Sequence, residues 1–357
     1  MGTPAVPISF SAAAASSADF FPRMTTRWPS NRISPSRGVL RMAKPGARLG
    51  AVSHAPRRYS PRHTRMKTFL FALFLLLASV ADCSYSAEVP EGASYTLANT
   101  AVHNLHAQAL NRDYQVFVSL PKGYSAKGPA LPVVFVTDAD YAFPLVRAIA
   151  ARVGGHSTAI GPFILVGLSY AIGDTPDFSR SRDYTPTASP GKSLESDMPG
   201  KAPAFGEAEP YRRFLASDVL PLVARRYRVD MSRSVFVGHS FGALLGAHIL
   251  LSWPDMFSHY VVSSPSLWYD RPVMFSREKS YADTHRDLKA SVFFSIGEHE
   301  PAYMVRDLQK FDAALRSHRY PNLHTRLHVL EGHDHLTVFP DMITAALKWA
   351  IPGSPVH

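Results

Sequence analysis

The run SVFVGHSFGALLGAHIL, residues 234–250, decides the fold, because it joins a short apolar strand to an apolar helix through a turn that carries one serine. Ser234 to Val237 has the β-branched and aromatic content of a buried strand, and Phe241 to Leu250 reads as a helix. Between them Gly238-His239-Ser240-Phe241-Gly242 matches G-x-S-x-G, in which the serine occupies a strained turn and its hydroxyl projects beyond the sheet edge. The flanking glycines belong where a side chain would meet a neighbouring strand or helix. Gly246, one turn later, keeps the same helix face small. The pentapeptide alone is a weak signal, so a nucleophile at Ser240 requires a base and an acid further along the chain.

Outward from this turn, apolar runs alternate with helical patterns. Asp113 to Leu120 alternates like a strand with one exposed face, and Leu131 to Thr137 and Phe163 to Ser169 are continuous apolar strands. A helical stretch is expected over about 143–153 and an amphipathic helix from Pro210 to Tyr227. Beyond Ser240, strands are expected at His259–Ser263, Ser291–Ile296 and Thr325–Leu330, with helices over about 302–317 and 337–349. This alternation predicts an α/β fold, a mainly parallel twisted sheet covered by helices on both faces. One domain is expected over 87–357. Gly173 to Glu209, rich in Pro, Gly, Ser and charge, is much longer than the usual loop of about 4–6 residues. It leaves the carboxyl end of a strand, where ligands bind in open α/β sheets, and is a candidate wall or lid.

The formal charge of +10 has a local origin. Residues 1–65 hold eleven Lys or Arg and one acid, Asp19, and the rest of the chain carries equal numbers of basic and acidic residues. No nucleic-acid partner is therefore expected of the folded part. Residues 1–65 are rich in Ser, Pro, Ala and Arg, lack apolar periodicity, and are not expected to pack a core. Met66-Lys67-Thr68 followed by FLFALFLLLASVA, residues 69–81, has the pattern of a secretory signal peptide over 66–86 and is shorter than a spanning helix of about 20 residues. Translation from Met66 is the simplest reading, with the upstream segment a non-native extension, and a two-part targeting sequence is the rival. A secreted or periplasmic location follows, with no stable membrane anchor. The single cysteine, Cys83, follows Asp82, which suits a lipoprotein cleavage site poorly, and it provides no disulfide framework.

A serine hydroxyl needs an imidazole to take its proton and a carboxylate to orient that imidazole, in this fold in the chain order serine, acid, histidine. Glu331-Gly332-His333-Asp334-His335 lies between the last strand and the last helix, and His335, nearer the helix, is the expected base over His333. After SVFFSI, Gly297-Glu298-His299-Glu300 offers the acid; Glu300 is preferred, then Glu298, with Asp307 third because it falls inside the next helix. The H-x-H pair lacks the further ligands a metal needs, so neither metal nor cofactor is expected. The oxyanion donors are expected at the backbone N–H of Phe241 and in the Asp138-Ala139-Asp140 loop, with Ala139 as the choice.

Taken together, DYQVFVSLPKGY, LPVVFVTDAD, ILVGLSY, SRSRDYTPT, FLASDVLPLVARRYRVD, VFVGHSFGALLG, SSPSLWYD, FFSIGEHE and EGHDHLTVFP resemble the esterase branch of the α/β-hydrolase superfamily. That branch contains siderophore trilactone esterases of the periplasmic salmochelin/enterobactin type, S-formylglutathione hydrolase and feruloyl esterases, and SRSRDYTPT and SPSLWYD look most like the siderophore subgroup. The resemblance implies an α/β-hydrolase fold, Ser240 and His335 as nucleophile and base, and Glu300 as the acid of a G-x-x-E motif. It also implies that Trp268 and Arg182 lie near the substrate, although core packing explains the tryptophan equally well and an ion pair with Asp183 is the simpler account of the arginine. Ala139 departs from the pattern, since glycine often follows the aspartate there. The expected activity is a serine carboxylic ester hydrolase acting on a small-molecule ester, with a siderophore lactone first and a simpler acyl or feruloyl ester next. An acyltransferase with the same triad and a non-catalytic binding protein on a hydrolase fold are the rivals.

Overall fold

The computed structural model describes residues 95–155, 159–188, 195–271 and 273–353, so the expectations for 1–65 and 66–86 lie outside the described residues. One eight-stranded sheet runs through them in the order β1-β2-β4-β3-β5-β6-β7-β8. The strands are β1 (Thr100–Ala107), β2 (Arg112–Ser119), β3 (Leu131–Val136), β4 (Ile164–Leu168), β5 (Val229–His239), β6 (His259–Ser263), β7 (Ala290–Gly297) and β8 (Leu323–Leu330). β1 and β2 form an antiparallel pair, β2 joins β4 antiparallel, and β4 through β8 pair in parallel.

Alternation along the central strands explains their continuous apolar character. Val134 and Val136 of β3, Val235 and Val237 of β5, Val261 of β6 and Phe293 of β7 pack on one face, under α1 (Ala139–Ile149) and the last helix, Val338–Ala350. Their neighbours Val133, Phe135, Phe236, Val262, Val292 and Phe294 point the other way, into a larger core. Successive side chains on a strand face opposite sides, so a strand covered on both faces needs apolar residues at every position. The helix after Ser240, Phe241–Ser252, is buried from Gly242 to Leu251 and lies within that larger core. A methyl group at Gly246 would sit 2.8 Å from the Phe236 ring, which is why the small residue recurs one turn after Gly242.

Four elements differ from the sequence expectations. β1 was not anticipated, because TAVHNLHA is a largely exposed edge strand with few buried side chains. The helix Val273–Thr284 was missed as well, since only Met274, Glu278 and Tyr281 are buried and its apolar stripe is thin. The amphipathic helix begins at Ala208 and passes through a π-helical turn, Leu215–Val219, before ending at Arg226. Within the long 173–209 segment lies a helix, α2 (Pro176–Asp183), capped by Thr175 Oγ1, which accepts the Phe178 N–H at 3.4 Å. Residues 189–194 of that segment are outside the described residues. Among the described residues no helix is long and apolar enough to cross a membrane.

Candidate active site

β5 ends at His239, and Ser240 follows with φ 59° and ψ −116°, a conformation that L-residues rarely adopt. Its backbone is held on both sides: the N–H donates to the Ser263 carbonyl at 3.0 Å, and its carbonyl accepts the Leu244 N–H at 2.9 Å. The glycines make the turn possible. A Cβ at Gly238 would lie 2.2 Å from the Gly242 carbonyl oxygen, and one at Gly242 would lie 2.3 Å from Thr137 Oγ1. Ser240 Oγ is 3.3 Å from Ser266 Oγ, in the turn after β6.

The neighbouring strand β3 ends in a second turn of the same kind. Asp138 has φ 55° and ψ 50°, and α1 begins at Ala139. Ala139 and Phe241 are thus both first residues of helices, where backbone N–H groups have no intrahelical acceptor. The contact of Gly242 with Thr137 and Asp138 brings the two helix starts side by side. Asp138 is completely buried, and its carboxylate accepts from Tyr170 at 2.9 Å and Thr137 Oγ1 at 3.2 Å. Arg180 Nε lies 3.1 Å from Asp138 Oδ1 in an ion pair, and its Nη2 donates to the His239 carbonyl at 3.4 Å. Burial opposes the charge of Arg180, but Asp138 together with the surrounding Tyr141, Tyr170 and Tyr184 outweighs it and raises the guanidinium pKa, while burial and Asp138 raise the Tyr170 phenol. Arg180 therefore spans both turns as a fixed cation.

The loops after β7 and β8 bring an acid and an imidazole together. Glu300 is buried, with Oε2 2.8 Å from His335 Nδ1. Its other oxygen, Oε1, accepts from the Gly297 N–H at 2.9 Å and from the Ser264 hydroxyl. An ionised carboxylate only accepts, so the His335 proton facing it resides on Nδ1 and Nε2 keeps its lone pair. The His335 ring packs at 4.6 Å, centroid to centroid, on the ring of His239, the residue before Ser240. His239 is itself neutral: burial, with the charges of His335 and Arg180, pushes its pKa down to about 3. The two loops are bonded to each other, since His299 N–H donates to the His333 carbonyl at 2.9 Å and Glu298 N–H to the Leu330 carbonyl at 2.9 Å. A Cβ at Gly297 would stand 2.3 Å from the His333 oxygen, so this contact demands glycine.

The rival residues have other partners. Glu298 is half exposed and accepts the Gly332 N–H at 3.1 Å. His333 faces the Thr337 carbonyl at 3.2 Å and Asp341 at 3.3 Å, and Asp307 pairs with Arg271. Trp268 is brought to the Ser240 turn, its ring 5.9 Å from that of Phe241, and Tyr269 meets the same ring edge-on at 5.9 Å. Arg182 is not: its guanidinium is turned into a buried network with Asp174 at 2.6 Å and Asp183 at 2.8 Å, so the expectation of a substrate contact is corrected to the ion-pair account. The arginine that reaches the turn is Arg180, two residues earlier, whose guanidinium also lies 5.8 Å from the Phe241 ring. Nothing in SRSRDYTPT distinguishes the two by composition; the helical phase of α2 does. Tyr170, Ser264 and Ser266 carried no sequence signal of their own, and Asp138 was marked only as part of the oxyanion loop. Among the described residues no three His, Cys, Asp or Glu side chains gather as a metal site.

A family model named Esterase, described as "Putative esterase", matches residues 107–350. The chain is 26% identical to the ferri-bacillibactin esterase BesA of Bacillus subtilis, over 73% of this chain and 93% of that protein. It is 28% identical to the siderophore triacetylfusarinine C esterase of Aspergillus fumigatus, over 68% of this chain and 90% of that one. Among solved structures, the BES protein from Bacillus cereus superposes with a TM-score of 0.63 at 23% identity, covering 73% of this chain and 99% of its own, which identifies the fold.

Proposed function

The chain belongs to the esterase family matched over residues 107–350, and on that premise we propose that it is a serine hydrolase that cleaves a siderophore ester through an acyl-enzyme. Ser240 Oγ attacks the ester carbonyl while His335 Nε2 takes its proton, and Glu300 holds Nδ1 of the same ring and stabilises the imidazolium. The N–H groups of Phe241 and Ala139 receive the oxyanion, both being helix-start donors with no intrahelical acceptor. His335 then returns the proton to the departing alcohol, and water repeats the sequence to release the acid.

The observation that carries this reading is the 2.8 Å contact between His335 Nδ1 and Glu300, with the imidazole packed, tilted, against the ring of the residue before Ser240. The siderophore class is supported by the substrates named for the two relatives and by the partly buried Phe241 and Trp268 rings beside Arg180. Export through the signal-like segment 66–86 is part of the same proposal, to a secreted or periplasmic location.

The test is hydrolysis of a short p-nitrophenyl ester and of a trilactone siderophore by wild type, Ser240→Ala, His335→Ala and His333→Ala. Ser240→Ala and His335→Ala should each lose about 10³-fold or more in kcat, and His333→Ala should stay within about twofold of wild type. Undiminished turnover by Ser240→Ala would contradict the proposal. Turnover of the simple ester alone would restrict it to a general esterase.

A further inference from the structure

Ser264, directly after β6, is fully buried and has φ 47°, in the left-handed region where a side chain crowds its own backbone. Glycine would occupy that conformation without strain. What serine adds is a hydroxyl, and that hydroxyl donates to Glu300 Oε1. The backbone conformation does not depend on this bond, because the Ser264 N–H is fixed separately by the Ser295 carbonyl at 2.7 Å. A strained residue held by its surroundings, with its side chain aimed at one oxygen of a buried acid, points from the outlier to a role at the site.

The terminal torsion of a glutamate is soft, so a carboxylate held through one oxygen can rotate about its bond. Here Oε1 is held by two donors of different origin, the Gly297 N–H at 2.9 Å and the Ser264 hydroxyl, while Oε2 faces His335 Nδ1 at 2.8 Å. The same short turn reaches the nucleophile: Ser266 Oγ is 3.3 Å from Ser240 Oγ, and the Ser266 N–H donates to the Ser240 carbonyl at 3.3 Å.

We infer that Ser264 is a positioning residue of the esterase reaction: its hydroxyl fixes the rotation of the Glu300 carboxylate, keeps Oε2 on His335 Nδ1, and tempers the negative charge that the imidazolium feels. The inference rests on the roles proposed above for Glu300 and His335. The positive end of the hydroxyl dipole sits beside the carboxylate, so removing it strengthens the pull of Glu300 on a protonated His335 and makes the base more basic. The ionisable groups facing His335 are Glu300, His239 and Asp334. His239 is neutral with a pKa of about 3, and hydrogen bonds from Thr337 and Leu336 hold Asp334 below the ordinary carboxylate range. Neither titrates near neutrality, so the acid limb of the kcat/KM profile reports the His335–Glu300 pair.

The experiment compares full-length wild type, Ser264→Gly, Ser264→Ala and Ser240→Ala on a p-nitrophenyl ester, with Tm and the pH dependence of kcat/KM for each active protein. Ser264→Gly relieves the strained φ and should keep Tm within about 3 °C of wild type. Its kcat should fall about tenfold with KM within about twofold, and its acid limb should move up by about half a pH unit. Ser264→Ala, which retains the Cβ, should show the same kinetic change. Wild-type kcat in either variant overturns the inference, and so does a lower kcat with an unmoved acid limb, which assigns Ser264 to folding alone. An inactive Ser240→Ala beside a fully active Ser264→Gly removes only the role of Ser264, whereas an active Ser240→Ala removes the esterase reading itself.

Discussion

Two adjacent parallel strands, β3 and β5, end in the same way: a residue at positive φ, Asp138 or Ser240, followed at once by a helix whose first N–H is unpaired within the helix. The turns are held by different means. Around Ser240 the turn depends on small residues within the pentapeptide itself, since Gly238 and Gly242 leave room that no side chain could share. Around Asp138 the means are long-range, since a buried carboxylate is gripped by Tyr170 and by Arg180 from the 173–209 segment. A turn that depends on the absence of side chains is visible in a pentapeptide, whereas one that depends on a charge delivered from another element is not.

The difference can be broken at its local end first. Gly238→Ala would drive a methyl group into the Gly242 backbone, so a loss of about 4 kcal/mol or more and little folded protein are expected in a urea titration. Asp138→Asn keeps a side chain that tolerates the left-handed conformation but removes the charge that pairs with Arg180. It should lower kcat about 100-fold, the scale of one lost oxyanion donor, with KM little changed; unaltered kcat would show that the charge does not hold this turn. Arg182→Ala should leave the kcat of the folded enzyme unchanged. Stranding a buried charge typically costs about 3–5 kcal/mol, but Asp183 retains Arg112 and Asp174 retains Lys201, so a loss of about 2 kcal/mol in chemical denaturation is expected.

A pH-dependent effect concerns His239, whose carbonyl joins the two turns through Arg180. Its folded pKa of about 3 lies below the ordinary histidine value, so between about pH 6.5 and 3 the unfolded chain binds a proton that the folded one does not. Stability from this site is complete above that window and falls as the pH drops through it, by about 1.4 kcal/mol per pH unit at the steepest. His239→Gln should flatten the fall in urea midpoint between pH 6.5 and 4.5, and an unchanged slope would mean that His239 is not held neutral.

The central strands were legible because burial on both faces writes itself as unbroken apolar runs, as in Leu131–Val136 and Ile164–Leu168. Ser240 and Glu300 each follow such a strand within a few residues, and His335 stands between the half-exposed β8 and the last helix. Helix α2 escaped because its buried positions include Arg182 and Asp183, which are neutralised by each other, by Asp174 and by the distant Arg112. Charged residues in sequence read as solvent-facing loop. The exchange of Arg182 for Arg180 has the same origin: two like residues in one helical turn can be told apart only once the helix has neighbours. Ser264 was hidden for another reason, because its meaning lies in a backbone angle.

The most direct test of the account is covalent trapping with a fluorophosphonate, followed by mass spectrometry of the digested protein. The account predicts a single adduct on the peptide that carries Ser240, formed in proportion to the loss of esterase activity and abolished in Ser240→Ala. An adduct on another residue, or full inactivation with Ser240 unmodified, would contradict it.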